Sequence, residues 1–489
     1  MTFRRCADFV STRSRFAAAG MILLAVATHA SGQPADSQSA RAEQAARPNI
    51  ILILADDLGY GELGCYGNDF NETPYLDRLA AEGMRFTNAY TAGTVCSPTR
   101  GSIVTGQYPA RNGIMDFLGA NDPRYLDPDR FVTINEMLKT AGYHTGLIGK
   151  WHLDTTFDRI PAGPDAHGFD EVIATETKYI ADGDYFFPYD KIETVTSGSE
   201  GEFLTDRLAA EAVGYIERRH ESGEPFFLYL SHYSVHTALE APEELVRKYA
   251  QKHRDKHGEG SVNPFRRPRN RAHLGKPDNP YLAAMIERLD AGVGQIVDRI
   301  DELGIGENTV VIFISDNGGD GRVANNGVLR GSKTLVWEGG IRVPQIVRWP
   351  GSVEGGVVND TPTTTVDFYP TFAALAGAEL PADQALDGTD LSPVLAEAEG
   401  SLDRDAIFWH YPANTAPWPE RAGAAVRVGN FKLIHHYDSG RIELYDLAED
   451  PSETHDLAAE RPDVTDRLRR RLDEWRQDVD AIVPEPREP

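Results

Sequence analysis

From Asn49 through Ala55 the chain reads Asn-Ile-Ile-Leu-Ile-Leu-Ala, an apolar run too short for a core helix and partly β-branched. Such a run predicts a strand buried on both faces, as in a parallel sheet. The same signature recurs at His144 to Ile148, Phe226 to Leu230, Thr309 to Ile314 and Gln345 to Trp349. Between these runs lie stretches of helical period: a helix from the N-cap Thr73, Thr133 to Thr140, Asp206 to Arg219 and the long amphipathic Pro280 to Leu303. Strands alternating with helices up to about Gly377 predict an α/β fold: a large, mostly parallel sheet sandwiched by helices. Past a Glu/Gly-rich break near Glu397 to Ser401 the pattern changes. Ala424 to His435 and Arg441 to Leu447 read as antiparallel strands joined at Asp438-Ser439-Gly440, and Asp463 to Val479 as a terminal helix. The expected organisation is a catalytic unit over 48–398 and a smaller C-terminal α+β subdomain over 399–489.

Polar residues cluster where the apolar runs end. Asp56 and Asp57 follow the first strand, Lys150 and His152 the second, Ser231 to Leu239 with His232 and His236 the third, and Asp316-Asn317-Gly318-Gly319 the fourth. In open α/β sheets ligands bind at the carboxyl ends of strands. Adjacent carboxylates there are costly unless a cation pairs with them, and calcium is a hard ion that takes oxygen ligands. A helix cap or a solvated turn is the plain alternative for Asp56-Asp57 taken alone. The two glycines after Asn317 allow a tight turn and a close backbone approach.

Composition narrows the class. The 489 residues carry a formal charge of −26, which disfavours nucleic acid as a partner, and 41% are hydrophobic, enough for a sizeable core. Arg4, Arg5, Arg13 and Arg15 precede the apolar run Phe16 to Ala27, and small residues follow. Residues 1–32 therefore read as a signal peptide, residues 33–47 as a linker, and the protein as exported, periplasmic or extracellular. The run is too short to span a bilayer and no other candidate membrane span is seen. Of three cysteines, Cys6 leaves with the signal segment. Cys65 and Cys96 remain, with a disulfide between them as the bland reading. Residues 251–276 form a basic segment, with Arg266, Arg267, Arg269 and Arg271 among its cations, read either as a solvated insertion or as a guide for a polyanion.

The most informative stretch is Val95-Cys96-Ser97-Pro98-Thr99-Arg100-Gly101. Pro98 suits a first helical turn, so Cys96 falls at or just before a helix N-terminus, where anions are favoured. Arg100 returns to the same face four residues later. This Cys-x-Pro-x-Arg pattern, continuing through Gly106, resembles the maturation motif of the type I, formylglycine-dependent sulfatases, which have an alkaline phosphatase-like fold. The likeness extends over Thr73 to Gly113, the strand-end residues, and the closing Glu443-Leu444-Tyr445-Asp446-Leu447 with Asp450-Pro451-Ser452-Glu453.

The resemblance implies a sulfuric ester hydrolase in which Cys96 is oxidised to Cα-formylglycine by a formylglycine-generating enzyme or an anaerobic maturase. One hydroxyl of the hydrated aldehyde attacks sulfur, and loss of a proton from the other expels sulfate. It implies Ca2+ ligands at Asp56, Asp57, Asp316 and Asn317, completed by the modified Cys96. It gives sulfate-binding roles to Arg100, Lys150 and Lys333, a base at His152 and an acid at His236. Val235 and Ala238 stand where the family shows prolines, which keeps His232 as a second candidate. A sulfated polysaccharide or oligosaccharide is the expected substrate. Phe408-Trp409-His410-Tyr411-Pro412 is a candidate aromatic platform that would bring His410 to the sugar, with packing the plainer reading. The alternatives are a formylglycine-dependent phosphonate monoesterase or phosphodiesterase, and a non-catalytic glycan-binding relative.

Overall fold

A computed structural model describes residues 47–157, 159–180, 183–259, 278–397, 400–412 and 421–484. The expected signal peptide, almost all of the expected linker and residues 260–276 of the basic segment lie outside the described residues.

The large sheet has eight strands in the order β5-β4-β6-β1-β7-β8-β2-β9. These are β1 (Asn49–Ala55), β2 (Met84–Phe86), β4 (His144–Gly149), β5 (Glu171–Ile173), β6 (Phe226–Ser231), β7 (Thr309–Ser315), β8 (Gln345–Arg348) and β9 (Val357–Asn359). Every residue of β1, β6 and β7 is buried, as their unbroken apolar runs require. Helices cover both faces. Leu204–Ser222 and Pro280–Glu302 pack on one, and Ile134–Thr140, Cys96–Thr105 and Phe368–Ala376 on the other, each face with its own apolar cluster.

The strands from β5 to β7 are all parallel. β8 is the exception, antiparallel to both β7 and β2, so the sheet is mixed at that end. The register aligns the last residues of four neighbours: Gly149 pairs with Ser231, Ser231 with Leu54, and Ala55 with Ser315. With strands about 4.8 Å apart, their polar continuations emerge side by side along one edge of the sheet.

The C-terminal layer has four strands where two were expected, because Ile407–Tyr411 joins it and one expected strand divides. The stretch from 424 to 435 is two strands, because Gly429 turns the chain at a positive φ of 57°. With β11 (Ile407–Tyr411), β12 (Gly423–Val428), β13 (Phe431–His436) and β14 (Ile442–Asp446) it forms a four-stranded antiparallel sheet carrying the Pro462–Asp478 helix. From Arg47 onward the described chain belongs to one compact unit. Among the described residues no helix is long and apolar enough to cross a membrane.

Candidate active site

Cys96 is the first residue of the Cys96–Thr105 helix, and all ten residues of that helix are buried. Pro98 is its third residue, still within the turn whose N–H groups lack intrahelical partners. Cys96 Sγ lies 3.4 Å from Asp56 Oδ1 and 3.5 Å from Lys333 Nζ. Both remaining cysteines are free. Burial, with Asp316 and Asp56 nearby, pushes the Cys96 thiol well up, so as a plain cysteine it would be a poor nucleophile.

Arg100 is fully buried one turn further along and ties the strand ends together. Its Nε and Nη2 donate to Asp316 Oδ2 at 3.1 and 2.8 Å, and Nη2 lies 3.5 Å from Asp56 Oδ2. Nη1 donates to the Lys150 carbonyl at 3.1 Å and to Ser231 Oγ. Lys150 Nζ contacts Asp56 Oδ2. Lys333 Nζ reaches Asp57 Oδ1 at 2.6 Å. Burial alone would raise the Asp56 carboxyl, but Lys150, His236, Arg100 and Lys333 outweigh it and hold the group far below the usual carboxylate range. Asp57 and Asp316 go the other way: burial, with Asp56 as a like-charged neighbour, raises both.

The three buried carboxylates are matched in charge by Arg100, Lys150 and Lys333. Asn317 donates Nδ2 to Asp57 Oδ1 at 2.8 Å, while its Oδ1 is buried with no hydrogen-bond partner. That orphaned acceptor among carboxylate oxygens suits a hard cation such as calcium. Ligand atoms of Asp56, Asp57, Cys96 and His236 also lie within 4.8 Å of one another. The close approach expected after Asn317 is present: a Cβ on Gly318 would stand 2.0 Å from the Gly339 carbonyl oxygen.

His152 follows β4 in the left-handed region, with φ of 54°. Its Nε2 is 2.9 Å from the Leu118 carbonyl, which only accepts, so the ring proton sits on Nε2. Nδ1 then carries the free lone pair, buried and without a partner. Burial, Lys150 and Arg100 push this histidine well below its ordinary value. His236 sits on a loop stitched to Asp56 by Asp56 N–H to the Ser234 carbonyl (2.9 Å) and Val235 N–H to the Asp56 carbonyl (2.7 Å). Its Nδ1 contacts the Thr237 carbonyl, and Nε2 faces Asp57 Oδ2 at 3.7 Å. Burial and Lys333 hold it down to about 3.

The structure therefore brings together Asp56, Asp57, Cys96, Arg100, Lys150, His152, His236, Asp316, Asn317 and Lys333. Two candidates lie elsewhere. His232 is buried at the end of β6 and pushed down to about 3 by burial, and its backbone N–H continues the sheet to the Leu54 carbonyl. His410 faces the C-terminal layer, bonded to Tyr437 Oη at 2.6 Å and packed on Trp475. Trp409 of the expected platform is also core, donating Nε1 to the Thr91 carbonyl at 2.7 Å. In the described part of the basic segment, Lys252 and Lys256 are paired with Glu72 and Asp69.

Sequence reasoning missed Glu176, which follows the short β5. Its Oε1 accepts the His152 N–H at 2.6 Å, and its Oε2 accepts the Trp151 N–H at 3.0 Å and Tyr233 Oη–H at 2.9 Å. Thus one carboxylate braces the His152 turn and the loop leading to His236. The strand-end rule points to it too, but β5 has only three residues and leaves little trace in the pattern. Also missed was the buried group of Lys432, Glu338 and Glu453, with Lys432 Nζ at 2.9 and 2.8 Å from the two carboxylates. Glu338 closes the loop that carries Lys333, so the C-terminal sheet anchors that loop.

A family model described as Sulfatase matches residues 48–378, and one described as N-sulphoglucosamine sulphohydrolase, C-terminal, matches residues 331–478. A sulfatase of Formosa agariphila is 32% identical, with 88% of each chain covered. Human arylsulfatase A is also 32% identical, with 89% of each chain covered. Among solved structures, Ps i-CgsB is 30% identical with a TM-score of 0.73, covering 88% of this chain and 92% of its own. With its alkaline phosphatase-like sheet and its strand-end cluster around Cys96, the chain belongs to the sulfatase family of sulfuric ester hydrolases.

Proposed function

We propose that this sulfatase cleaves sulfate esters on carbohydrate, using a Cα-formylglycine made from Cys96 and a calcium ion held by Asp56, Asp57, Asp316 and Asn317. The observation that carries this reading is the convergence of four acidic or amide side chains and three cations on residue 96, with Asn317 Oδ1 left unpartnered. When present, the two groups supply a nucleophilic hydroxyl and a fixed positive charge facing the sulfate oxygens. Ps i-CgsB, the relative with a TM-score of 0.73, has been solved in complex with k-i-k-neocarrahexaose, which supports a sulfated sugar as the substrate class.

The residues divide the work. Arg100, locked by Asp316, holds residue 96 in place. Lys150 and Lys333, now on Asp56 and Asp57, turn their ammonium groups to the sulfate oxygens as the ester enters. His152 uses Nε2–H on Leu118 and keeps Nδ1 free to take a proton. His236 spends its Nδ1 proton on the Thr237 carbonyl, so Nε2 donates only from the doubly protonated ring. The negative charge of the bound ester, with Asp57, favours that form, and Nε2 then protonates the leaving alcohol.

Because residue 96 and its helix are buried, the maturing enzyme acts before folding is complete. The N-terminal pattern supports export of the product. The test is mass spectrometry of the Cys96 peptide together with sulfate release from defined sulfated sugars. An unmodified thiol in fully active enzyme would overturn the mechanism.

A further inference from the structure

Lys150, His152 and His236 also line a pocket, whose remaining wall is Thr155, Phe157, Glu176, Tyr179 and Ile180. Two aromatic rings, a branched aliphatic chain and one carboxylate make up half of the eight lining residues. The Tyr179 ring lies 6.1 Å from the His152 ring, next to the reacting groups. Lys150 is the only lysine or arginine among the described lining residues, and it faces Asp56. The donors on Glu176 are the Trp151 and His152 N–H groups and the Tyr233 and Thr175 hydroxyls. All four donors are neutral, and among the described residues none of them is a cation. The chain as a whole carries a formal charge of −26.

In the sulfatase reading above, the sulfate ester itself is met by the two ammonium groups of Lys150 and Lys333. A second anion on the same ring would sit a few ångströms away, facing Glu176 without a cation of its own. Like charges at that range in a partly desolvated site repel strongly, and discrimination follows from the uncompensated charge. The aromatic side chains favour the flat apolar face of a ring.

Resting on the sulfatase reading above, we propose that the pocket selects sulfate esters whose sulfated ring is otherwise uncharged. Such a ring, a neutral sugar or an aryl group, packs on Phe157 and Tyr179. Esters carrying a carboxylate or a second sulfate on that ring are rejected by Glu176.

The experiment uses the matured full-length enzyme. It compares kcat/KM for an aryl sulfate with that for the same aryl sulfate bearing a ring carboxylate, matched in phenol acidity. It then compares singly with doubly sulfated galactose isomers. The neutral ring is expected to be preferred at least ~10-fold. In Glu176→Gln the charged-to-neutral ratio is expected to rise at least ~10-fold. Any loss from disturbing the His152 turn is common to both substrates and cancels in that ratio. Tyr179→Ala is expected to raise KM for the neutral ring more than it lowers kcat. Equal or better cleavage of charged rings by wild type, or an unchanged ratio in Glu176→Gln, overturns the inference and leaves the sulfatase reading intact. Failure of the matured enzyme to cleave any sulfate ester overturns both.

Discussion

Replacing Arg100 by lysine isolates the guanidinium fork while keeping the charge. Arg100 donates twice to Asp316 Oδ2, at 3.1 and 2.8 Å, and Nη1 spans to the Lys150 carbonyl at 3.1 Å. An ammonium at this position replaces one of these bonds. Charge-assisted hydrogen bonds each contribute about 1.5–3 kcal/mol, so the expected cost is about 2–5 kcal/mol. For a unit of roughly 450 residues the unfolding entropy is about 0.9 kcal/mol per degree, giving a Tm lowered by about 2–5 °C. Catalysis should suffer more, because the fork sets the spacing among Asp56, Asp316 and Lys150. A kcat/KM loss of about 100-fold or more is expected, as for removal of one preorganised donor. Scanning calorimetry and steady-state kinetics on enzyme with residue 96 verified by mass spectrometry measure both. A variant with wild-type Tm and kcat/KM within about threefold would show that the fork is dispensable and refute this account of the site.

Lys333→Ala should lower kcat/KM by about 100-fold or more, since it strips Asp57 and residue 96 of their nearest ammonium group. Circular dichroism checks that the fold survives, and near-wild-type turnover would count against a role in sulfate binding. Removing bound calcium with a chelator should lower Tm by a few degrees, and excess calcium should restore it better than magnesium. At about 100 times Kd a ligand adds ~2.7 kcal/mol, and an unchanged Tm would argue against the ion. Glu453 is pushed up to about 7 by burial and by Glu338, against the pull of Lys432. A raised carboxyl stabilises the fold below its unfolded value of 4.5, and that stability is lost as pH rises through about 7. Wild-type Tm should therefore decline over this window by up to about 3 kcal/mol in stability, and Glu453→Gln should flatten the decline. An equally steep slope in the variant would remove Glu453 as its source. Expression without a maturing enzyme should yield folded protein with little or no sulfate release, read by calorimetry and ion chromatography.

Much of the strand-end cluster was legible because its signals are local. Asp56, Lys150 and Asp316 follow apolar runs directly, and the run itself announces a strand buried on both faces. Cys96 and Arg100 lie one helical turn apart, so their shared face follows from helix geometry. The sequence by itself therefore determined the α/β class, the strand ends and the polar residue types that follow them.

Tertiary structure decided what depends on distant parts of the chain. The order β4-β6-β1-β7 brings four strand ends together, and no local periodicity encodes strand order. The reversal of β8 is equally invisible in the pattern. His410 has a suitable residue type, yet its strand turns it toward Tyr437 and Trp475, because which face of a strand is buried depends on the layer that covers it. Glu176 is an ordinary acidic residue in the sequence. Only the fold sets its two oxygens against the N–H groups of Trp151 and His152 and makes it part of the wall of the pocket that Lys150, His152 and His236 line.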